Sequence, residues 1–201
     1  MIKNLLSGYV ITLALILGFS IMVSAQTSPS ASDFPAVKIG NFGQMDERFY
    51  RGAQPLPTDF QALKDLGIKT VIDLRNDPTD YEKSAVEALG MTYVNIPMSG
   101  WKTPKDADLE KFMSLVNNAG TGKFFVHCKA GIHRTGVTGA VYRMENYGWD
   151  YDKSYNEMKN YNFSWWMVHG KLKTYVKDYA EKMEDRAKLP AVTTAASIAG
   201  H

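Results

Sequence analysis

The chain has 201 residues, 23 lysines and arginines against 21 acids, and a single cysteine. That length is long for one small domain and short for two. The near-balanced charge argues against a general nucleic-acid or membrane-surface binder, the lone cysteine excludes an intramolecular disulfide, and neither internal repeats nor zinc-type Cys/His spacings occur.

Residues 1–25 carry one charge, Lys3, followed by an apolar run from about Tyr9 to Val23. Val23-Ser24-Ala25 supplies the small residues that a signal peptidase reads, so a secretory signal peptide cleaved after Ala25 is expected. The competing expectation is an uncleaved anchor over residues 5–23, nearly long enough to span a bilayer. The first places the protein in a secreted or periplasmic setting, and the second ties it to a membrane. Residues 26–35 are rich in Ser, Ala, Thr and Pro and read as a linker. Residues 189–201, rich in Ala and Thr, read as a flexible tail, which leaves one catalytic-sized domain over residues 36–188. Removal of residues 1–25 takes away one lysine and no acid, so 22 basic residues face 21 acidic ones.

Within that domain, strand and helix signals alternate. Arg48 to Arg51 predicts a short strand, and Pro57 to Leu66 a helix stopped by Gly67. Thr70 to Leu74 predicts a buried strand. Asp77-Pro78 opens a helix that runs to Leu89 and is capped by Gly90. Met91 to Ile96 predicts another strand. Thr103-Pro104 opens a helix with Leu109, Phe112, Met113 and Val116 on one face. Lys123 to His127 predicts a buried strand, and Val137, Ala140, Val141 and Met144 a helix stopped by Gly148. Asp150 to Lys188 reads as mostly helical, packed through Trp149, Trp165, Trp166, Tyr151, Tyr155 and Tyr161. The order predicts an α/β domain with a central, mostly parallel sheet flanked by helices and a helical C-terminal part.

The chemistry concentrates in Val126-His127-Cys128-Lys129-Ala130-Gly131-Ile132-His133-Arg134-Thr135-Gly136, between the last strand and its helix. At a strand-to-helix turn, successive backbone N–H groups can converge on one point with a helix N-terminus behind them, a nest for a dianion. Lys129, Ala130, Gly131, Ile132, His133 and Arg134 would line it. Gly131 supplies the sharp turn, and Arg134 grips two phosphate oxygens bidentately. The same positive field lowers the Cys128 pKa into the range of roughly 3.5–7.5 seen for activated cysteines. The thiolate then attacks phosphorus and forms a thiophosphate. Thr135 caps the helix and assists the departing thiolate, and His127 orients the loop by hydrogen bonds. Asp73 and Arg75 either order this loop or form an ordinary surface pair. Arg51 either approaches the phosphate or is structural, Trp101 either lines a pocket mouth or is structural, and His169 reads as a surface or core histidine.

This Cys-x5-Arg-Thr pattern resembles the signature of the cysteine-dependent protein tyrosine and dual-specificity phosphatases. Arg48-Phe49-Tyr50-Arg51-Gly52-Ala53-Gln54-Pro55, Thr70 to Arg75 and Ile96-Pro97 extend the resemblance to an atypical bacterial and plant/fungal branch, over most of residues 49–147. Cys128-Lys129-Ala130-Gly131 looks like phosphoinositide 3-phosphatases. His133-Arg134-Thr135-Gly136 looks like the plant/fungal branch, some of whose members cleave diphosphoinositol phosphates. The resemblance implies a phosphorylated protein or small molecule as substrate, no metal or organic cofactor, and a substrate preference for high phosphorylation if Lys129 and His133 add positive charge. A non-catalytic phosphate-binding module and a rhodanese-like sulfurtransferase are the alternatives, the latter opposed by the Arg-Thr pair. These phosphatases place an acidic proton donor on a loop upstream of the cysteine, yet Ile96 to Trp101 holds no carboxylate. Asp106 is the candidate general acid and Asp108 the next. Thr103 and Asp106 also fit a capping box. Without a positioned acid, aryl phosphates and phosphoanhydrides would be preferred over serine or threonine phosphates.

Overall fold

The computed structural model describes residues 33–164 and 169–188. The signal or anchor expectation, most of the linker, the tail, Trp165 and Trp166 fall outside the described residues. Among those described, no helix is long and apolar enough to cross a membrane.

Alternating burial along the strands dictates a layered structure. The strands are β1 (Gly43–Gln44), β2 (Phe49–Gly52), β3 (Ile68–Arg75), β4 (Thr92–Met98) and β5 (Lys123–His127). They form one sheet in the order β1-β2-β5-β3-β4, all parallel except β1. Successive side chains point to opposite faces, so Phe124 and Val126 enter one apolar cluster while Phe125 enters the other. The helices are α1 (Phe60–Asp65), α2 (Glu82–Ala88), α3 (Asp106–Asn117), α4 (His133–Tyr147), α5 (Tyr151–Asn160) and α6 (Gly170–Lys188). Phe60 and Leu63 of α1 and Val86 of α2 cover one face. Leu109 and Phe112 of α3, Val137 and Val141 of α4, Met158 of α5, and Leu172 and Val176 of α6 cover the other. The expected α/β architecture with a mostly parallel sheet is therefore observed.

Three local expectations are corrected. The helix expected from Asp77-Pro78 starts only at Glu82, after a turn. The helix expected from Thr103-Pro104 starts at Asp106, and its N-cap is Lys105 with no side-chain cap bond, so Thr103 and Asp106 do not form a capping box. Thr135 does not cap α4 either. It lies inside the first turn, after N-cap Ile132.

The C-terminal helices are tied to the sheet edge by a buried ion pair. Arg143 on α4 meets Glu157 on α5 at 2.7 Å and also donates to the Met45 carbonyl, with its guanidinium over the Trp149 ring at 4.4 Å. Removing one partner of such a pair leaves an uncompensated buried charge. Glu157→Leu is expected to lower stability by about 3 kcal/mol or more. Adding Arg143→Met should recover much of that loss, as read from urea midpoints of both variants.

Candidate active site

The β5–α4 turn places the cysteine loop at the carboxyl ends of the parallel strands, where open sheets present ligands. Its carbonyls are tied down from behind. The Gln54 N–H donates to Lys129 O at 3.3 Å, the Gly136 N–H to Ile132 O at 2.9 Å, and His127 Nδ1 lies 3.4 Å from Cys128 O. Gly131 O accepts from Arg51 Nη2 at 2.7 Å and from Asn41 Nδ2 at 2.8 Å. A loop whose carbonyls are held outward turns its N–H groups inward, the arrangement an oxyanion needs. Gly131 has φ +66°, and a Cβ there would sit 2.3 Å from the Gly52 carbonyl carbon. No side chain fits that contact.

Arg134 is buried at the head of α4. Its Nη1 is held by Met98 O at 3.2 Å, Asn76 Oδ1 at 3.3 Å and Leu74 O at 3.4 Å. The ends of β3 and β4 thus fix one nitrogen of the guanidinium, leaving the Nε and Nη2 edge for a bidentate grip. Cys128 is 3% exposed and makes no disulfide. Burial pushes its pKa up, but the Thr135 hydroxyl and N–H, the Arg134 guanidinium and the Ile132 N–H outweigh burial and hold it below the ordinary thiol value. Thr135 Oγ1 is buried and makes no aligned hydrogen bond. It still lies close enough to the sulfur to act on the thiolate.

The family described as "DSP-PTPase phosphatase fused to NAD+ kinase" matches residues 23–182. The chain belongs to this family. Its relatives include a "Beta-lactamase hydrolase-like protein" of Agrobacterium fabrum, 37% identical over 44% of this chain and 22% of that protein. They also include the "Dual specificity protein phosphatase TpbA" of Pseudomonas aeruginosa, 27% identical over 61% of this chain and 55% of TpbA. The chain therefore spans about half of TpbA and about a fifth of the Agrobacterium protein. The crystal structure of P. aeruginosa TpbA superposes with a TM-score of 0.63, covering 78% of this chain and 96% of the other at 23% identity. The core catalytic domain of the PP-IP phosphatase SIW14 from S. cerevisiae gives 0.62, covering 75% and 93% at 22% identity. These structures share the fold.

Against the family's loop, the structure sorts the candidate residues. It gathers Cys128, Arg134, Thr135 and the Gly131 and Ile132 backbone around one point. Lys129 and Ala130 are exposed. His133 departs from the expectation of added positive charge. Burial, and then the neighbouring His169, pull its pKa down to about 4. Its ring stacks on His169 at 3.3 Å between centroids, and Nε2 lies 3.2 Å from Ser164 O. Its side chain is neutral at pH 7 and engaged away from a phosphate.

Asp106 is also given different work from that of a proton donor. Its two carboxylate oxygens accept from Tyr175 at 2.8 Å and from Lys182 at 3.1 Å, anchoring α6 to α3. The Tyr175 and Lys182 contacts hold its pKa below the usual carboxylate value, which keeps it ionised. Arg75 pairs with Asp77 at 3.0 Å, not with Asp73.

His127, Asp73 and Glu82 form a fully buried cluster beneath the loop. One ligand atom from each lies within 4.8 Å of the others, a spacing compatible with a metal ion. His127 Nε2 lies 2.7 Å from Glu82 Oε1, without the alignment of a hydrogen bond. Tyr93 donates to Asp73 Oδ2 at 2.9 Å, and Gln54 Nε2 to Glu82 Oε2 at 2.7 Å. Burial, opposed by His127, raises the Asp73 pKa. His127 thus reaches the Cys128 carbonyl from within this cluster, whose other members were not anticipated. Sequence reasoning also missed Asn41, Asn76 and Glu82, none of which has a motif spacing. Gln54 alone lay within a stretch that carried the family resemblance.

The loop that lacks a carboxylate lies over the site. A Cβ at Gly100 would be 3.8 Å from Arg134 Nε. Trp101, 62% exposed, stacks on His169, which stacks in turn on His133. His169 Nδ1 lies 3.2 Å from Gly100 O. Because His133 has a folded pKa of about 4 against 6.5 when free, the unfolded chain binds the extra proton first as pH falls. Its contribution to stability is full above pH 6.5 and is lost as pH drops toward 4. The urea midpoint should therefore decline over that window more steeply in the native protein than in His133→Gln.

Proposed function

We propose that this domain hydrolyses phosphate monoesters through a Cys128 thiophosphate. The observation that carries the reading is a buried thiol held below its ordinary pKa in a loop whose Cys128, Lys129, Gly131 and Ile132 carbonyls are engaged by other groups. The thiolate attacks phosphorus in line, forming the S–P bond as the P–O bond to the leaving group breaks. The leaving oxygen departs as an aryloxide and takes its proton from solvent. Water then attacks phosphorus, the S–P bond breaks, and Thr135 stabilises the returning thiolate. Arg134 and the loop amides hold the three equatorial oxygens throughout, where charge builds. Family membership supports this over a phosphate-binding module or a sulfurtransferase.

The preferred substrates are aryl phosphates, phosphotyrosine among them. Loop residues 99–102 bring an indole in place of a carboxylate, and good leaving groups need no acid. A structure of a TpbA cysteine-to-serine variant in complex with pTyr, similar in fold with a TM-score of 0.62, is consistent with such a ligand. The fold similarity to a PP-IP phosphatase supports a second reading, inositol polyphosphates or diphosphates, for which exposed Lys129 is the one loop cation besides Arg134. Cys128→Ser should lower turnover of an aryl phosphate by about 10³-fold or more. Wild type should favour aryl over alkyl phosphate by about 10²-fold or more, and Asp106→Asn should leave both rates within about twofold, as its ties to α6 require. A panel of phosphotyrosine peptides and diphosphoinositol phosphates distinguishes the two substrate readings.

We further propose that the domain works outside the cytoplasm, on the strength of residues 1–25. Edman sequencing of the exported protein should begin at Gln26. Retention of Met1 in a membrane fraction would identify an anchor instead.

A further inference from the structure

Arg51 is an unusual guanidinium. It stands on β2, parallel to β5, with Val126 as its register partner. Only 1% of it is exposed. Nη2 donates to Gly131 O at 2.7 Å, and the guanidinium carbon sits 3.9 Å from the centroid of the Tyr161 ring. Nε makes no hydrogen bond. Among the described residues, no carboxylate lies within ion-pair distance of it. The acid whose field it feels, Glu157, is bound by Arg143 through both oxygens. Burying an unpaired cation is costly unless an anion nearby compensates.

That anion is at hand in the loop. We propose that Arg51 is a positioning residue of the phosphate site: its unpaired charge stabilises the Cys128 thiolate from beneath the loop, while its Nη2 holds the Gly131 carbonyl away from the substrate. The inference rests on the thiolate chemistry proposed above. Two observations support it. Burial pulls the Arg51 pKa down to about 10, so it remains a cation at neutral pH, and Cys128 is among the groups that act against that fall. Gly131 O has a second donor, Asn41 Nδ2, itself placed by Asn162 at 3.1 Å. Outward anchoring of the carbonyl therefore does not require a charge. A neutral donor at Arg51 would have sufficed for geometry, and what the guanidinium adds is its field. The other groups acting on the Cys128 sulfur are Arg134, Thr135 and the Ile132 N–H, and all lie on the loop or α4. Arg51 reaches the loop from a different strand, β2, and Cys128 figures among the groups that hold its charge.

Cys128 is the only cysteine, so alkylation by iodoacetamide, followed by mass, reports its thiolate directly at each pH. In Arg51→Met the midpoint of the alkylation–pH curve should rise by about one unit, slowing the reaction about tenfold below the midpoint. Asn41→Ala removes a donor to the same carbonyl without changing charge, and its midpoint should stay at the wild-type value. An unmoved midpoint in Arg51→Met overturns the proposal, as does an equal shift in Asn41→Ala, which would make the effect one of loop geometry. Should Arg51→Met fail to give a native circular dichroism spectrum, Arg51→Gln, which removes the charge and keeps a donor, is expected to show the same rise, and its absence is equally decisive. Alkylation needs no turnover. The thiolate inference can therefore fail while Cys128→Ser still abolishes hydrolysis, and the reverse.

Discussion

Gly131 and the Gly52–Ala53 peptide share a contact that admits no side chain, and the remainder of the site is arranged around that approach. For the loop to come so near, β2 must lie beside β5 in parallel register, which sets Arg51 next to the catalytic strand and Gln54 next to the loop. With the backbone pinned on that side, the Gly131 carbonyl can only turn outward, where two donors meet it. The amides then face the opposite way. The electrostatics of the sulfur follow from this packing constraint: the Thr135 and Ile132 N–H groups, the Thr135 hydroxyl and the Arg134 guanidinium act on a thiol whose pKa burial alone would raise.

The layer beneath extends the same logic. His127 is held between Asp73 of β3 and Glu82 of α2, and Glu82 is bound by Gln54. Three elements distant in sequence thereby meet under one loop. This buried polar floor is tied to its surroundings through Tyr93 on Asp73 and Gln54 on Glu82. Above the loop the materials differ. Gly100, Trp101, His169 and His133 form a wall of rings resting on Arg134, with an open indole face at its outer end. The cation of the site, Arg134, sits in the loop layer, and the rim above it is aromatic.

Where chemistry was local, the sequence announced it. The β5 strand, the turn and α4 follow from an apolar pentapeptide, a glycine and a helical repeat within a single stretch, and the structure agrees residue for residue over Lys123–His127. Features that depend on distant partners were illegible. Asn41 and Glu82 act on the loop from far away in the chain and belong to no spacing rule. His133 looked like a cation until its neighbour became visible, since position 169 lies on another element and its proximity, with burial, neutralises the ring. Thr103, Pro104 and Asp106 had the composition of a helix start, but Pro104 is buried and Asp106 is turned toward α6. Local propensity lost there to tertiary packing. The two-residue β1 is too short to give any period.

The order of strands has a consequence for how the molecule comes into being. Phe49 lies opposite Phe124, and Ile72 opposite Val126. Both early strands must wait for β5 before the sheet can close at its centre, and such long-range pairing folds slowly. The loop follows β5 directly, and Arg134 needs the ends of β3 and β4 already in place to hold its guanidinium. During synthesis the nucleophile therefore emerges as an ordinary thiol on an unfinished sheet. Its reactivity is acquired at the final closure, so a partly made chain carries the cysteine without its hazard.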